Sequence, residues 1–182
     1  YAPLWSPVWA DGRISGGRDG TNTYARLKYG GFDNSWNDYL TGRFSLIYTP
    51  LKNLTITGVY APTIKLNKNK NFIKQIPYYD ADDPTLLVGY ISGKHWTNSL
   101  SEMRNERRTT TKQLFVNYSA TFWKKHDLSV LAGYEDYGNF YEVLQASSDE
   151  MELSEFPYLD RGNLSMMSNS GNASENAYCS WF

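Results

Sequence analysis

The sequence predicts an all-β chain: an antiparallel meander of long hairpins that forms an open segment of a large transmembrane β-barrel. Three observations carry that expectation. Runs of alternating apolar and polar residues recur along the chain, tight turns and long loops join them in alternation, and aromatic residues gather towards both ends of the runs. Strands of about ten residues with one oily and one wet face, flanked by aromatic girdles, are what a barrel wall in lipid requires.

The clearest hairpin runs from Thr109 to Leu144. Leu114, Val116, Tyr118, Ala120 and Phe122 are apolar or aromatic, and Gln113, Asn117, Ser119 and Thr121 between them are polar. That period of two is a half-wet strand. Past a short turn at Trp123 to Asp127, Leu128, Val130, Ala132 and Tyr134 resume one face, and Ser129, Gly133 and Glu135 the other. Only Phe115 and Leu131 break the pattern. An earlier hairpin has the same design. Leu40, Phe44, Leu46 and Tyr48 alternate with Thr41, Arg43, Ser45 and Thr49, with Ile47 out of pattern. A turn is expected at Pro50 to Asn53, because Pro presets a turn dihedral and cannot pair in a ladder. The return strand, residues 54 to 64, sets Leu54 and Ile56 against Thr55 and Thr57. The lipid-facing set is therefore Leu40, Phe44, Leu46, Tyr48, Leu54, Ile56, Leu114, Val116, Tyr118, Phe122, Leu128 and Val130. The lumen-facing set is Thr41, Arg43, Ser45, Thr55, Thr57, Gln113, Asn117, Ser119, Ser129 and Glu135.

Loops are expected at about residues 1–35, 71–105 and 147–175, where Gly and Pro are too dense for long regular elements, and no helix is expected anywhere. In the first loop, Trp5, Trp9 and Trp36 read more readily as packing residues than as ligand platforms. The chain opens at Tyr1 without a leader and ends inside another alternating run, Ala177 to Phe182, so a piece of a longer polypeptide is expected.

Composition bounds the class. Of 182 residues, 16% are aromatic and 15 are Tyr, yet mean hydropathy is −0.57 and no apolar run is long enough for a membrane helix. A barrel strand alternates its faces, so a polar average does not argue against a membrane. With 18 basic and 19 acidic residues the net charge is −1, which points to no nucleic-acid partner. The basic run Lys65, Lys68, Lys70 and Lys74 reads as a solvated strand end. The lone Cys179 has no partner for a disulfide.

No catalytic or metal constellation emerges, so neither an enzyme nor a cofactor is expected. His95 and His126 have no second ligand at metal spacing. The stretch from Asp80 to Asp83 lacks the later Gly and Glu of a calcium loop. Glu135, Asp136 and Glu142 offer carboxylates for glycoside hydrolysis, but no spacing sets a pair of them at the required separation.

Particular wording then resembles a family. Asn53 to Tyr60 following Tyr48-Thr-Pro50, the Tyr78-Tyr79 pair, His126 to Glu135 following an aromatic turn, and the tail from Asn169 to Phe182 are together similar to the SusC/RagA family, the TonB-dependent outer-membrane transporters of the Bacteroidota. The resemblance covers nearly the whole chain. It implies that residues 1–182 are part of a TonB-dependent receptor barrel domain without its plug: four full strands and the start of a fifth, from a barrel class of about 22 strands. It also implies import of glycan or peptide fragments across the outer membrane of a Gram-negative bacterium. The partners implied are outer-membrane lipid, a SusD-like surface lipoprotein and the TonB complex. A soluble β-sandwich that binds carbohydrate through loop aromatics is the competing expectation, because strands separated by turn signals suit it too. As an isolated open sheet, the chain is expected to associate in water and to pack its long loops poorly.

Overall fold

The computed structural model describes residues 5–91, 97–123 and 125–182. Its strands in chain order are β1 (Gly31–Thr41), β2 (Phe44–Leu51), β3 (Leu54–Ile73), β4 (Pro77–Tyr79), β5 (Leu87–Tyr90), β6 (Ser99–Phe122), β7 (His126–Asp149) and β8 (Ser168–Trp181). One sheet has the order β1-β3-β6-β7-β8, with β2 also on β3, while β4 and β5 make a separate two-stranded sheet. The main sheet is an open antiparallel meander. The other sheet among the described residues has two strands of three and four residues, too small to be the second layer of a sandwich.

β1 and β2 act as one strand along β3. The Thr41 and Thr63 hydroxyls lie 3.4 Å apart, and Phe44 pairs with Tyr60 beyond the Gly42-Arg43 break. These two pairs keep the same register, so the break adds no residue to the ladder. Arg43 itself falls in the break and not on a strand, as the alternation had placed it. Pro50 lies within β2, where the pairing shifts between Tyr48 and Leu51. The turn is therefore Lys52-Asn53, and Pro50 occupies an irregularity, the place in a sheet where a residue without an N–H is tolerated.

The strands run well past the alternation. β3 continues to Ile73, β6 begins at Ser99, β7 reaches Asp149 and β8 begins at Ser168. All three expected loops are thus shorter than their assigned bounds. In these extensions both faces carry polar residues, as in Lys65 to Asn71 and Ser168 to Ser174, so no hydropathy contrast marks the strand. Trp36 belongs to β1, and Lys65, Lys68 and Lys70 belong to β3. Lys70 is no solvated end: its ammonium bridges Glu102 at 3.1 Å and sits 4.4 Å from the centre of the Tyr158 ring.

By its contacts the chain divides into two compact units. One is drawn from Tyr1–Ser35, Lys68–Met103 and Gln145–Ser170, the other from Trp36–Asn67, Arg104–Leu144 and Gly171–Phe182. The first holds most of the buried residues. It also contains the helix that the sequence did not lead us to expect, α1 (Thr23–Tyr29). Asn22 explains that helix. Its Oδ1 accepts from the Ala25 amide at 3.1 Å, satisfying one of the open donors of the first turn. Its Nδ2 donates to the Pro7 and Ser15 carbonyls at 2.6 and 2.8 Å. A fully buried Asn thus starts the helix and fastens the preceding loop to it.

Two clusters fill this unit: Ala25, Ile76 and Ile91 with Ile14 and Tyr78 against them, and Phe72, Leu100 and Met151 with Leu159. Asn98 joins their surroundings. Its Oδ1 accepts from the Gln75 amide at 2.7 Å, and its Nδ2 donates to Ser154 Oγ at 2.9 Å. Gly16 lies so close under the Tyr78 ring that a Cβ there would meet it at 2.5 Å. The loops are therefore packed, contrary to the expectation for an isolated sheet. Long polar connections conceal a few well-spaced apolar residues that find one another only in three dimensions.

The acidic stretch 80–83 makes a turn. Asp80 Oδ1 accepts the Asp82 and Asp83 amides at 2.9 and 3.2 Å, and Asp83 Oδ1 accepts the Thr85 hydroxyl and amide at 2.7 and 2.9 Å. Arg13 donates to the Asp80 and Ala81 carbonyls at 2.7 and 2.9 Å. The Thr85 donors hold the Asp83 carboxyl below its ordinary range. The Arg13 amide, and then its guanidinium, do the same for Asp11.

Two outcomes follow from this packing. Leu100→Ala, at a side chain with no exposed surface, should cost about 2 to 5 kcal/mol. It should be read as faster limited proteolysis between Met151 and Ser165 than in the parent. A carboxyl with a depressed folded pKa contributes stability in full above its unfolded pKa, and that stability declines below it and is lost as pH falls through the folded pKa. The amide-exchange protection factor of Thr85 should therefore hold from pH 7 to 5 and drop below about pH 4, and Asp83→Asn should remove that step.

Candidate functional site

The second unit presents two chemically opposed sheet faces, and register decides which residue lies on which. β2 pairs with β3 through Leu46 opposite Gly58 and Tyr48 opposite Ile56. The Ser119 amide donates to the Asn53 carbonyl at 2.9 Å, which sets Ile56 beside Val116. Between β6 and β7, Lys112 with Asp136, Gln113 with Glu135, Thr109 with Asn139 and Thr121 with Asp127 all fall on one unshifted register. That places Val116 opposite Ala132, and Leu114 opposite Tyr134. Opposed residues in an antiparallel pair share a face.

Apolar residues from five strands, β1, β2, β3, β6 and β7, therefore form one surface. Leu40, Phe44, Leu46, Tyr48, Leu54, Ile56, Leu114, Val116, Tyr118, Phe122, Leu128 and Val130 occupy it together, with Leu46 and Val116 on the same side. Many are open to solvent here, Leu46 at 74% and Phe44 at 66%. Aromatic pairs cross the strands near its upper end. Phe44 stacks on Tyr60 with ring centres 6.4 Å apart, and Tyr134 meets Trp181 at 4.4 Å. At the other end Trp123 and His126 form an edge-on pair at 6.2 Å. Gly58 leaves a hollow of about 420 Å³ lined by Phe44, Leu46, Tyr60 and Lys112 among others.

The opposite surface is wet. Thr41, Ser45, Thr55, Thr57, Gln113, Asn117, Ser119, Ser129 and Glu135 lie on it. Lys65 sits 5.4 Å from the Tyr39 ring centre, and Arg107 5.3 Å from that of Tyr141. The paired carboxylates of the sequence reading come apart here. Glu135 points to the wet face with Gln113 and Asp136 to the other with Lys112, so the two do not flank one substrate bond. Among the described residues no group of three acidic, His or Cys side chains could hold a metal ion. His95 lies outside the described residues.

The apolar exceptions on the wet face also have an origin. Phe115 and Phe182 approach to 6.0 Å between ring centres, and Gly133 lies buried beneath them. Gly133 and Phe182 exchange both backbone hydrogen bonds, at 2.8 and 3.1 Å. A Cβ at Gly133 would collide with the Phe182 ring, so an aromatic cover takes the place of a side chain. The sequence placed Gly133 among the polar residues and Phe115 as a fault. The signal available was a bulky apolar residue on the wet face of one strand and a residue without a side chain on the wet face of the next. Gly133→Ala should lose about 1 kcal/mol by displacing Phe182. In the Phe182→Ala background the same change should cost little, a coupling that a double-mutant cycle of unfolding free energies reads directly.

No protein-family model matches the sequence, and no curated protein does. Among solved structures, a chain of the RagAB peptide importer in its closed-closed state is similar over 93% of this chain, with a TM-score of 0.71 and 19% identity. A chain of the open-open state is similar over the same share, with a TM-score of 0.69 and 19% identity. The present chain spans 17% of the length of each. At that identity the likeness establishes the fold: an open antiparallel meander that matches a segment of a β-barrel transporter.

Proposed function

We propose that this chain is a section of the wall of an outer-membrane importer of the SusC/RagA kind. The observation that carries the reading is the two-faced sheet, with twelve apolar and aromatic residues of the strands' lower halves gathered on one side and a mainly hydroxyl and amide surface, broken by Ile47, Phe115 and Leu131, on the other. In this reading the apolar side meets outer-membrane lipid and the wet side lines the lumen. Along β6, Leu114 to Phe122 covers about 26 Å at ~3.3 Å per residue. A tilt of about 40° turns that into roughly 20 Å of height, near the ~25 Å apolar band of such barrels. Phe44, Tyr60, Tyr134 and Trp181 then lie in one interfacial girdle, and Phe122, Trp123 and His126 lie at the other. In hydrocarbon an unpaired ladder would cost several kcal/mol per group, so both edges of the sheet would need neighbouring strands.

Import of glycan or peptide fragments, energising by the TonB complex and a SusD-like surface lipoprotein as partner are the finer parts of the proposal. They are supported by the family wording and by the likeness to RagAB importer chains. The reading is one of transport and not of catalysis. In the intact protein, Val116→Arg should cost about 2 to 4 kcal/mol of folding in lipid. Asn117→Arg, one residue on and facing the other way, should cost far less. Denaturant titrations in lipid vesicles measure both. Equal tolerance of the two changes, or recovery of the protein outside the outer-membrane fraction, would sink the assignment.

A further inference from the structure

We propose that a hollow between β3, β6 and β7 in the first unit is a binding site for the main chain of an extended peptide. The hollow has about 380 Å³ and is lined by Asn69, Asn71, Ser99, Ser101 and Gln145, with Ile73 and Met103 as its apolar part. Its chemistry narrows the ligand. No charged side chain lines it, so an anionic or cationic group entering it would lose water without finding a counter-charge. No aromatic ring lines it either, so a sugar would find no flat surface for the C–H face of its ring. What remains is a set of carboxamides and hydroxyls, each able to donate and to accept.

A peptide unit offers one N–H and one C=O, the complement of a primary amide, and every residue repeats that pair. Asn69 is already oriented. Its Nδ2 donates to Asp33 Oδ1 and Ser35 Oγ at 2.8 and 2.9 Å, leaving its Oδ1 as an acceptor for an incoming N–H. Gln145 Nε2 stands 3.5 Å from Ser101 Oγ, at the limit of a hydrogen bond and easily turned towards a better acceptor. No side-chain hydrogen bond to another described residue engages the Asn71 amide or the Ser99 hydroxyl. Both are half-buried and keep access to solvent, so each can exchange water for an incoming peptide group. Recognition through main-chain groups ignores sequence, and the flexible Met103 accommodates varied side chains. The inference rests on the importer reading and deepens it by choosing peptide over glycan.

The test uses the intact protein in detergent and calorimetric titration with three probes: an uncharged octapeptide pool, the same pool N-methylated on its backbone, and maltoheptaose. We expect the plain peptides to bind and the N-methylated ones to bind more weakly. Maltoheptaose should show no binding that depends on Asn71. Asn71→Leu should weaken peptide binding roughly twofold to tenfold, the loss of one or two net hydrogen bonds. Plain and N-methylated peptides binding alike would overturn the proposal without any variant. An Asn71→Leu protein with unchanged peptide affinity, maltoheptaose affinity that falls with that change, or no peptide binding at all would also overturn it. Failure of the importer reading shows separately. A protein absent from the outer-membrane fraction that still binds peptides through Asn71 supports the site and removes the importer.

Discussion

Everything in this sheet depends on one ladder that holds its register from Phe32 to Tyr48. Along β3 the pairs from Phe32 beside Phe72, through Thr41 and Thr63, to Tyr48 and Ile56 keep one register, despite the interruption at Gly42-Arg43. A slip of one residue on any strand would send its whole apolar set to the other face. The irregularity that does occur, between Tyr48 and Leu51, comes at the end of β2 beside a tight turn, where few residues remain to be misplaced. Along β3 the polar pair Thr41 and Thr63 on one face and the aromatic pairs Phe32 with Phe72 and Phe44 with Tyr60 on the other report the same register independently. Consistency across both faces is what lets a sheet with so little buried apolar surface specify one arrangement.

The other unit reaches order by a different route. Its buried residues are few: Ala25, Ile76 and Ile91 in one cluster and Phe72, Leu100 and Met151 in another. Conformational entropy makes long connections costly to order, and these small clusters offset only part of that cost. Polar side chains directed at backbone groups complete the work. Asn22, Asn98 and Arg13 each tie together segments far apart in sequence. Each is a single residue whose several donors and acceptors replace the ladder that the loops lack.

This difference explains what could be read in advance. The all-β meander, its long hairpins and the composition of its two faces were legible because alternation is a local signal. The upper strand halves were not, since Lys65 to Asn71 and Ser168 to Ser174 are polar on both sides. Helix α1 was hidden among glycines, although Asn22 followed by seven residues free of Gly and Pro was a capping signal in plain view. The hollow around Asn71 was beyond reach from sequence, because it needs the register of β3 against β6 to bring Asn71 and Ser101 together. The separation of Glu135 and Asp136 was legible in principle: adjacent residues of a strand point to opposite faces.

The departures from alternation teach most about reading such chains. Phe115 looks like a fault, too large for a wet face, while Gly133 passes as a polar-face residue although it has no side chain to fill a strand interior. They face each other across β6 and β7, and Phe182 arrives on the next strand to cover the gap. A Gly in a strand leaves backbone exposed and a void above it, and an aromatic ring on a neighbouring strand restores the lost contact. Where an alternating sequence sets an oversized residue and a Gly at positions that a common register would oppose, the two are one feature. The register itself can then be inferred from them, before any coordinate is known.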